Sequence, residues 1–122
     1  MFELDITREF SAAHSLRGYN GNCKSLHGHN WIIQVFVQSA ELDELGIAVD
    51  FKVLKKELDV LLEELDHKHL NELPMFQKCN PTSENLARHI YKRLAAVVND
   101  SKVHVSKVRV CESLTSGASY FE

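Results

Sequence analysis

The sequence predicts an α+β fold in which an antiparallel sheet carries both of its helices on one face. Three observations point there. Strand-like alternation marks both ends of the chain, two stretches of helical spacing lie between them, and no helix separates the first two strands. The 122 residues are expected to form a single domain, 1–122, large enough to bury a core without disulfide or metal staples.

Phe2, Leu4 and Ile6 alternate with Glu3, Asp5 and Thr7, a half-buried strand running on toward His14. Gly18, Asn20, Gly21 and Asn22 give Arg17 to Cys23 the chemistry of a loop. From His27 to Gln38 a second strand sets His27, His29, Trp31, Ile33, Val35 and Val37 on one face, with Ile32, Gln34, Phe36 and Gln38 on the other. Joined as an antiparallel hairpin, the two strands bring His14 near His27 and His29. After a loop at Glu41 to Gly46, Ile47-Ala48-Val49 reads as a short strand feeding Asp50, whose carboxylate suits a helix N-cap. Phe51, Leu54, Leu58, Leu61, Leu62 and Leu65 then recur at helical spacing, with Lys55, Lys56, Asp59 and Glu63 opposite. Pro74 and Pro81 bracket a second loop. Thr82 or Ser83 can cap a second helix that has Glu84 in its first turn and Leu86, Ile90, Leu94 and Val97 as its buried stripe. Val103 to Glu112 is expected as a strand with Val108, Val110 and Glu112 on one side, and Ala118 to Phe121 closes the chain as another after the turn at Ser116-Gly117.

A net charge of −3 without a basic block argues against nucleic acid and anionic membranes as partners. No apolar run approaches a membrane span, and the start Met1-Phe-Glu-Leu-Asp5 has neither the basic nor the apolar region of a signal peptide. Three widely spaced cysteines, Cys23, Cys79 and Cys111, argue for reduced thiols rather than a disulfide framework, so a cytoplasmic location is expected.

The chemistry concentrates in the histidines. His27 and His29, two residues apart on a strand, project from one face, and His14 reaches them from the neighbouring strand. Three imidazoles without a fourth protein ligand suit a catalytic zinc ion, which keeps one position open. A metal with three protein ligands has little structural rationale, which favours an enzyme over a binding module. Cys23, four residues before His27, is a fourth thiolate ligand, an unbound base beside an open site, or a loop thiol without function. Asp66-His67 can form a carboxylate–imidazole relay, or His67 can simply end a helix. His69 and Asn71 are loop ligands or solvated, and His89 and His104 are solvated or structural. Glu112, at the end of an apolar strand, can hold a guanidinium-like group through two parallel hydrogen bonds, or stand in water. Lys24 and Arg17 are candidate cations for an anionic substrate.

Phe10-Ser-Ala-Ala-His14, Cys23-x3-His27-Gly-His29, Val49-Asp50-Phe51, Leu65-Asp66-His67, Pro81-Thr82-Ser83-Glu84 and Glu112-Ser-Leu-Thr-Ser-Gly117 occur in one order. Together they resemble the 6-pyruvoyl-tetrahydropterin synthase family across essentially the whole chain. The three-residue gap between Cys23 and His27, the Pro-Thr-Ser-Glu segment and the Thr-Ser-Gly ending are similar to its carboxy-forming branch, which serves queuosine biosynthesis in bacteria. The resemblance implies a tunnelling fold, a four-stranded antiparallel sheet with two helices, assembled into a homohexamer of two trimers with the active site between subunits. It implies zinc on His14, His27 and His29, Cys23 as proton-transferring thiolate, and Asp66 and His67 as its relay across a subunit interface. Glu112 would anchor the pterin, with Thr82 and Ser83 near its pocket. The implied substrate is 7,8-dihydroneopterin triphosphate and the implied products 6-carboxytetrahydropterin, acetaldehyde and triphosphate. Formation of the pyruvoyl product with loss of triphosphate only is the alternative.

Overall fold

The computed structural model describes residues 1–21 and 25–122. Two strands of thirteen residues, β1 (Phe2–His14) and β2 (His27–Ser39), pair antiparallel from Phe2 opposite Ser39 to His14 opposite His27. Helix α1 (Phe51–Glu63), a two-residue strand β3 (Lys68–His69), helix α2 (Ser83–Val98) and the hairpin β4 (Val103–Ser113) and β5 (Ser116–Tyr120) follow. The sheet order is β3-β1-β2-β4-β5. The sheet therefore has five strands rather than the expected four, and it is mixed, because β3 runs parallel to Ala12 and Ala13 of β1. Two residues are too few to show alternation in the sequence. Ile47 to Val49 is not a strand either. Its chain folds around Asp43, whose carboxylate accepts from the Leu45 and Ile47 amides at 2.8 and 2.9 Å.

Alternation along β2 puts Trp31, Ile33, Val35 and Val37 into the core, in one cluster with the buried residues of both helices. Asp50 caps α1 by accepting from the Lys52 amide at 2.8 Å, Leu54, Leu58, Leu61 and Leu62 form its buried stripe, and Leu65 is buried just beyond its end. Phe51 lies outside that stripe, exposed beside Phe2, Leu42 and Ile47. Thr82 caps α2 by accepting from the Asn85 amide at 3.1 Å. Leu86, Ala87, Ile90, Tyr91 and Leu94 are buried, whereas Val97 is exposed and Val98 meets the core in its place. Strand β4 buries Val103 and Val105, then Val108 and Val110. The change of parity is a bulge: Val105 faces Val37 and Lys107 faces Phe36, leaving Ser106 as the extra residue. A second bulge leaves Glu112 unpaired between Cys111 and Ser113. Arg8 holds Asp59 of α1, and Arg93 of α2 holds Glu64, each by two hydrogen bonds.

Candidate active site

The antiparallel register sets His14 directly opposite His27, and Ala12 opposite His29. Each histidine side chain follows the inward parity of Trp31. Trp31 is fully buried, donates its indole N–H to the Ala12 carbonyl at 3.2 Å, and meets the His14 and His29 rings edge-on at 4.9 and 5.1 Å. Phe10 stacks on Trp31 from below. The imidazoles thus stand on a rigid apolar floor, and one ring nitrogen from each of His14, His27 and His29 lies within 4.8 Å of the others.

Hydrogen bonds fix what those nitrogens offer. His14 Nδ1 is 2.7 Å from the Pro81 carbonyl, and His27 Nδ1 is 2.7 Å from the Ser25 carbonyl. A carbonyl only accepts, so both Nδ1 atoms carry the proton and both Nε2 atoms present a lone pair. Those two Nε2 atoms face each other at 3.1 Å. Two lone pairs aimed at one point repel unless a proton or cation sits between them. Burial pushes the His14 imidazole below its ordinary pKa, an effect larger than any other on it, so the protonated form is disfavoured. Burial likewise lowers His29, whose buried Nε2 has no hydrogen-bond partner among the described residues and lies 3.6 Å from Glu112 Oε2. A tetrahedral zinc with bonds of about 2.0–2.1 Å would hold its nitrogens about 3.3 Å apart. The donor set and its outer hydrogen bonds fit such an ion.

Asp66 and His67 form a second unit at the other edge of β1. Asp66 accepts the Ser11 amide on Oδ1 at 2.9 Å, and Oδ2 lies 3.0 Å from His67 Nδ1. The Ser11 amide is the main cause, and His67 the next, that holds the Asp66 carboxyl below the usual range. His67 has φ +58°, a left-handed conformation uncommon for a side-chain-bearing residue, and its amide donates to the Ser11 carbonyl. The turn presents an exposed imidazole to an open cleft of about 570 Å³, which His29, Asn30 and His69 also line. A carboxylate-paired imidazole and one member of the histidine trio therefore share a single opening.

Of the remaining expected site residues, Glu112 stands beside His29. Thr82 and Ser83 begin α2, next to the Pro81 carbonyl that takes His14. Cys23 and Lys24 lie outside the described residues. Arg17 is exposed and anchored to the chain beside it. Its guanidinium donates to the Asn71 and Cys79 carbonyls at 3.0 and 3.4 Å. Asn71 is neither solvated nor a loop ligand, since its amide bonds both backbone groups of Ser15. His69 pairs with Glu72 at 3.3 Å in the cleft wall. The carbonyls of Pro81 and Ser25 escaped the sequence reading, because a backbone acceptor leaves no signature in residue type.

Three imidazoles with one focus, beside a carboxylate-paired histidine, define a candidate metal-dependent enzyme. The chain belongs to the 6-pyruvoyl tetrahydropterin synthase family, whose model matches residues 3–122. Relatives include a 6-carboxy-5,6,7,8-tetrahydropterin synthase of Synechocystis sp., 39% identical, the match covering 95% of this chain and 92% of that one. Another of that name, from Bacillus subtilis, is 34% identical over 98% of this chain and 84% of its own. Among solved structures, Caenorhabditis elegans 6-pyruvoyl tetrahydropterin synthase superposes with a TM-score of 0.88 at 28% identity, over 99% of this chain and 95% of that one.

Proposed function

We propose that this chain is the carboxy-forming enzyme of its family, a lyase that converts 7,8-dihydroneopterin triphosphate and water to 6-carboxytetrahydropterin, acetaldehyde and triphosphate. It would serve queuosine biosynthesis in the cytoplasm as a homohexamer of two trimers. The names and full-length likeness of the relatives support the branch. The observation that carries the chemistry is the pair of Nε2 lone pairs converging at 3.1 Å, each with its Nδ1 proton tied to a carbonyl.

In this reading His14, His27 and His29 hold zinc, which when bound supplies Lewis acidity toward the hydroxylated side chain of the substrate. Cys23 removes a proton from that side chain. Asp66 keeps the proton of His67 on Nδ1, which leaves Nε2 to take up and return protons in the cleft. Glu112 accepts two hydrogen bonds from the amino-pyrimidine edge of the pterin. Thr82 and Ser83 line the pterin pocket. The exposure of His67 supports a site that a neighbouring subunit completes.

Incubating the zinc-loaded protein with dihydroneopterin triphosphate tests this. Mass spectrometry should find the carboxy pterin, and aldehyde trapping an equal amount of acetaldehyde. A pyruvoyl product without acetaldehyde would assign the chain to the other branch, and an unaltered pterin would remove both assignments.

A further inference from the structure

We propose that Asn71 and Asn80 are positioning residues of the histidine centre, two amide clasps that fix the chain where it leaves His14. The inference rests on the metal-binding reading of His14 given above. Strand β1 loses its partners at His14, because the ladder with β2 ends at the His14–His27 pair. The peptide groups of the next residues need other partners. The Ser15 amide donates to Asn71 Oδ1 at 2.9 Å, and Asn71 Nδ2 donates to the Ser15 carbonyl at 2.9 Å. Arg17 repeats the pattern, its amide donating to Asn80 Oδ1 at 2.9 Å and its carbonyl accepting from Asn80 Nδ2 at 3.0 Å. Each side chain gives and takes one bond at a single residue, as a neighbouring strand would. Only a carboxamide carries donor and acceptor side by side in this way.

The clasps are themselves anchored. The Asn71 carbonyl accepts from the Arg17 guanidinium at 3.0 Å and from Gln77 at 2.9 Å. The Asn80 carbonyl accepts from Asn85 Nδ2 at 2.8 Å, and Asn85 belongs to the capped first turn of α2. His14 Nδ1 itself bonds the carbonyl of Pro81, the residue after Asn80. One segment, residues 71–81, therefore fixes both the imidazole of His14 and the backbone that follows it. With the clasps in place the ring meets His27 at one set distance. Without them the strand end is free to shift by the few tenths of an ångström that matter to a tetrahedral ion.

Asn71→Asp tests the clasp at nearly constant shape, since it keeps the acceptor and turns the donor into an oxygen facing the Ser15 carbonyl. Zinc affinity is measured by chelator competition at a temperature where every variant is folded, and the visible spectrum of the cobalt-loaded protein reports the ligand geometry. Asn71→Asp should bind zinc about tenfold more weakly, within the range that outer-sphere partners contribute, with an altered cobalt spectrum. Asn80→Asp should show a smaller change in the same direction. Val37→Ala, at the far end of β2, should lose stability with affinity and spectrum intact. Wild-type affinity and spectrum in both aspartate variants would overturn the inference while leaving the metal reading in place. Should Asn71→Asp fail to fold, Asn80→Asp decides by the same two readouts. Unchanged zinc binding in His14→Ala would instead remove the metal reading, and the inference with it.

Discussion

His14 and His89 are the same residue type withdrawn from water, and burial is the main force that pushes both imidazoles below the ordinary histidine pKa. Their surroundings differ in kind. His14 bonds a carbonyl through Nδ1 and turns Nε2 toward His27, with His29 beside it. His89, on α2, lies tilted against Phe76, near the Arg93 cation and the Glu64 carboxylate, and leaves its buried Nε2 without a partner among the described residues. Burial alone makes a perturbed histidine. A ligand requires a second lone pair aimed at the same point, and the β1–β2 register supplies it.

Removing one imidazole from each place separates the two environments most strongly. His27→Ala should leave the fold intact, because His27 sits at a strand end above the core. It should weaken metal binding at least about a hundredfold, since a direct ligand contributes more than the outer-sphere partners that account for 10–100-fold. Turnover should disappear with the metal. His89→Ala should retain both. Metal content after dialysis and circular dichroism give the answer, and wild-type metal content in His27→Ala would dissolve the distinction.

His67 offers a third environment, exposed and paired with a carboxylate. His67→Asn removes the imidazole while keeping a residue type that tolerates the left-handed backbone at φ +58°. Turnover should fall by about 10²–10⁴, the usual contribution of a positioned acid or base, with zinc content unchanged. Loss of zinc in this variant would merge His67 with the trio. Glu112→Gln should act more mildly and on binding, raising KM about 10–100-fold for the loss of charge-assisted hydrogen bonds to the pterin. A fall in kcat at constant KM would place Glu112 with the reacting groups instead.

Much of this was legible in the residues, for physical reasons that also set the limit. Alternation from His27 to Val37 shows the inward face because a strand has a fixed period, and the hairpin brings His14 to its partners. Asp50 and Thr82 announce the helix starts because a cap needs a short side-chain acceptor. What stayed hidden depends on backbone groups or on a change of register. Strand β3 is held by two pairs to β1, and the bulge at Ser106 reverses parity without any change in composition. The Pro81 carbonyl that fixes the His14 tautomer and the amides of Asn71 and Asn80 act across more than fifty residues of sequence. Val97 failed as a core residue because α2 turns it to solvent, and Val98, one position on, meets the core instead.

The burial of His89 has a modest consequence for stability. Its folded-state pKa is lowered, so above about pH 6.5, the ordinary histidine value, neither state binds the proton. As the pH falls through that value the unfolded chain is protonated before the folded one, and stability declines until the folded pKa is passed. His89→Phe keeps a ring against Phe76 and removes the titration. In metal-free protein, where His14 and His29 add losses of the same sign, the variant should lose less stability than wild type between pH 7 and pH 5. The difference in slope is bounded by one proton, at most about 1.4 kcal/mol per pH unit. Parallel urea-unfolding profiles over that interval would mean that His89 titrates alike folded and unfolded, and that burial there has no energetic consequence.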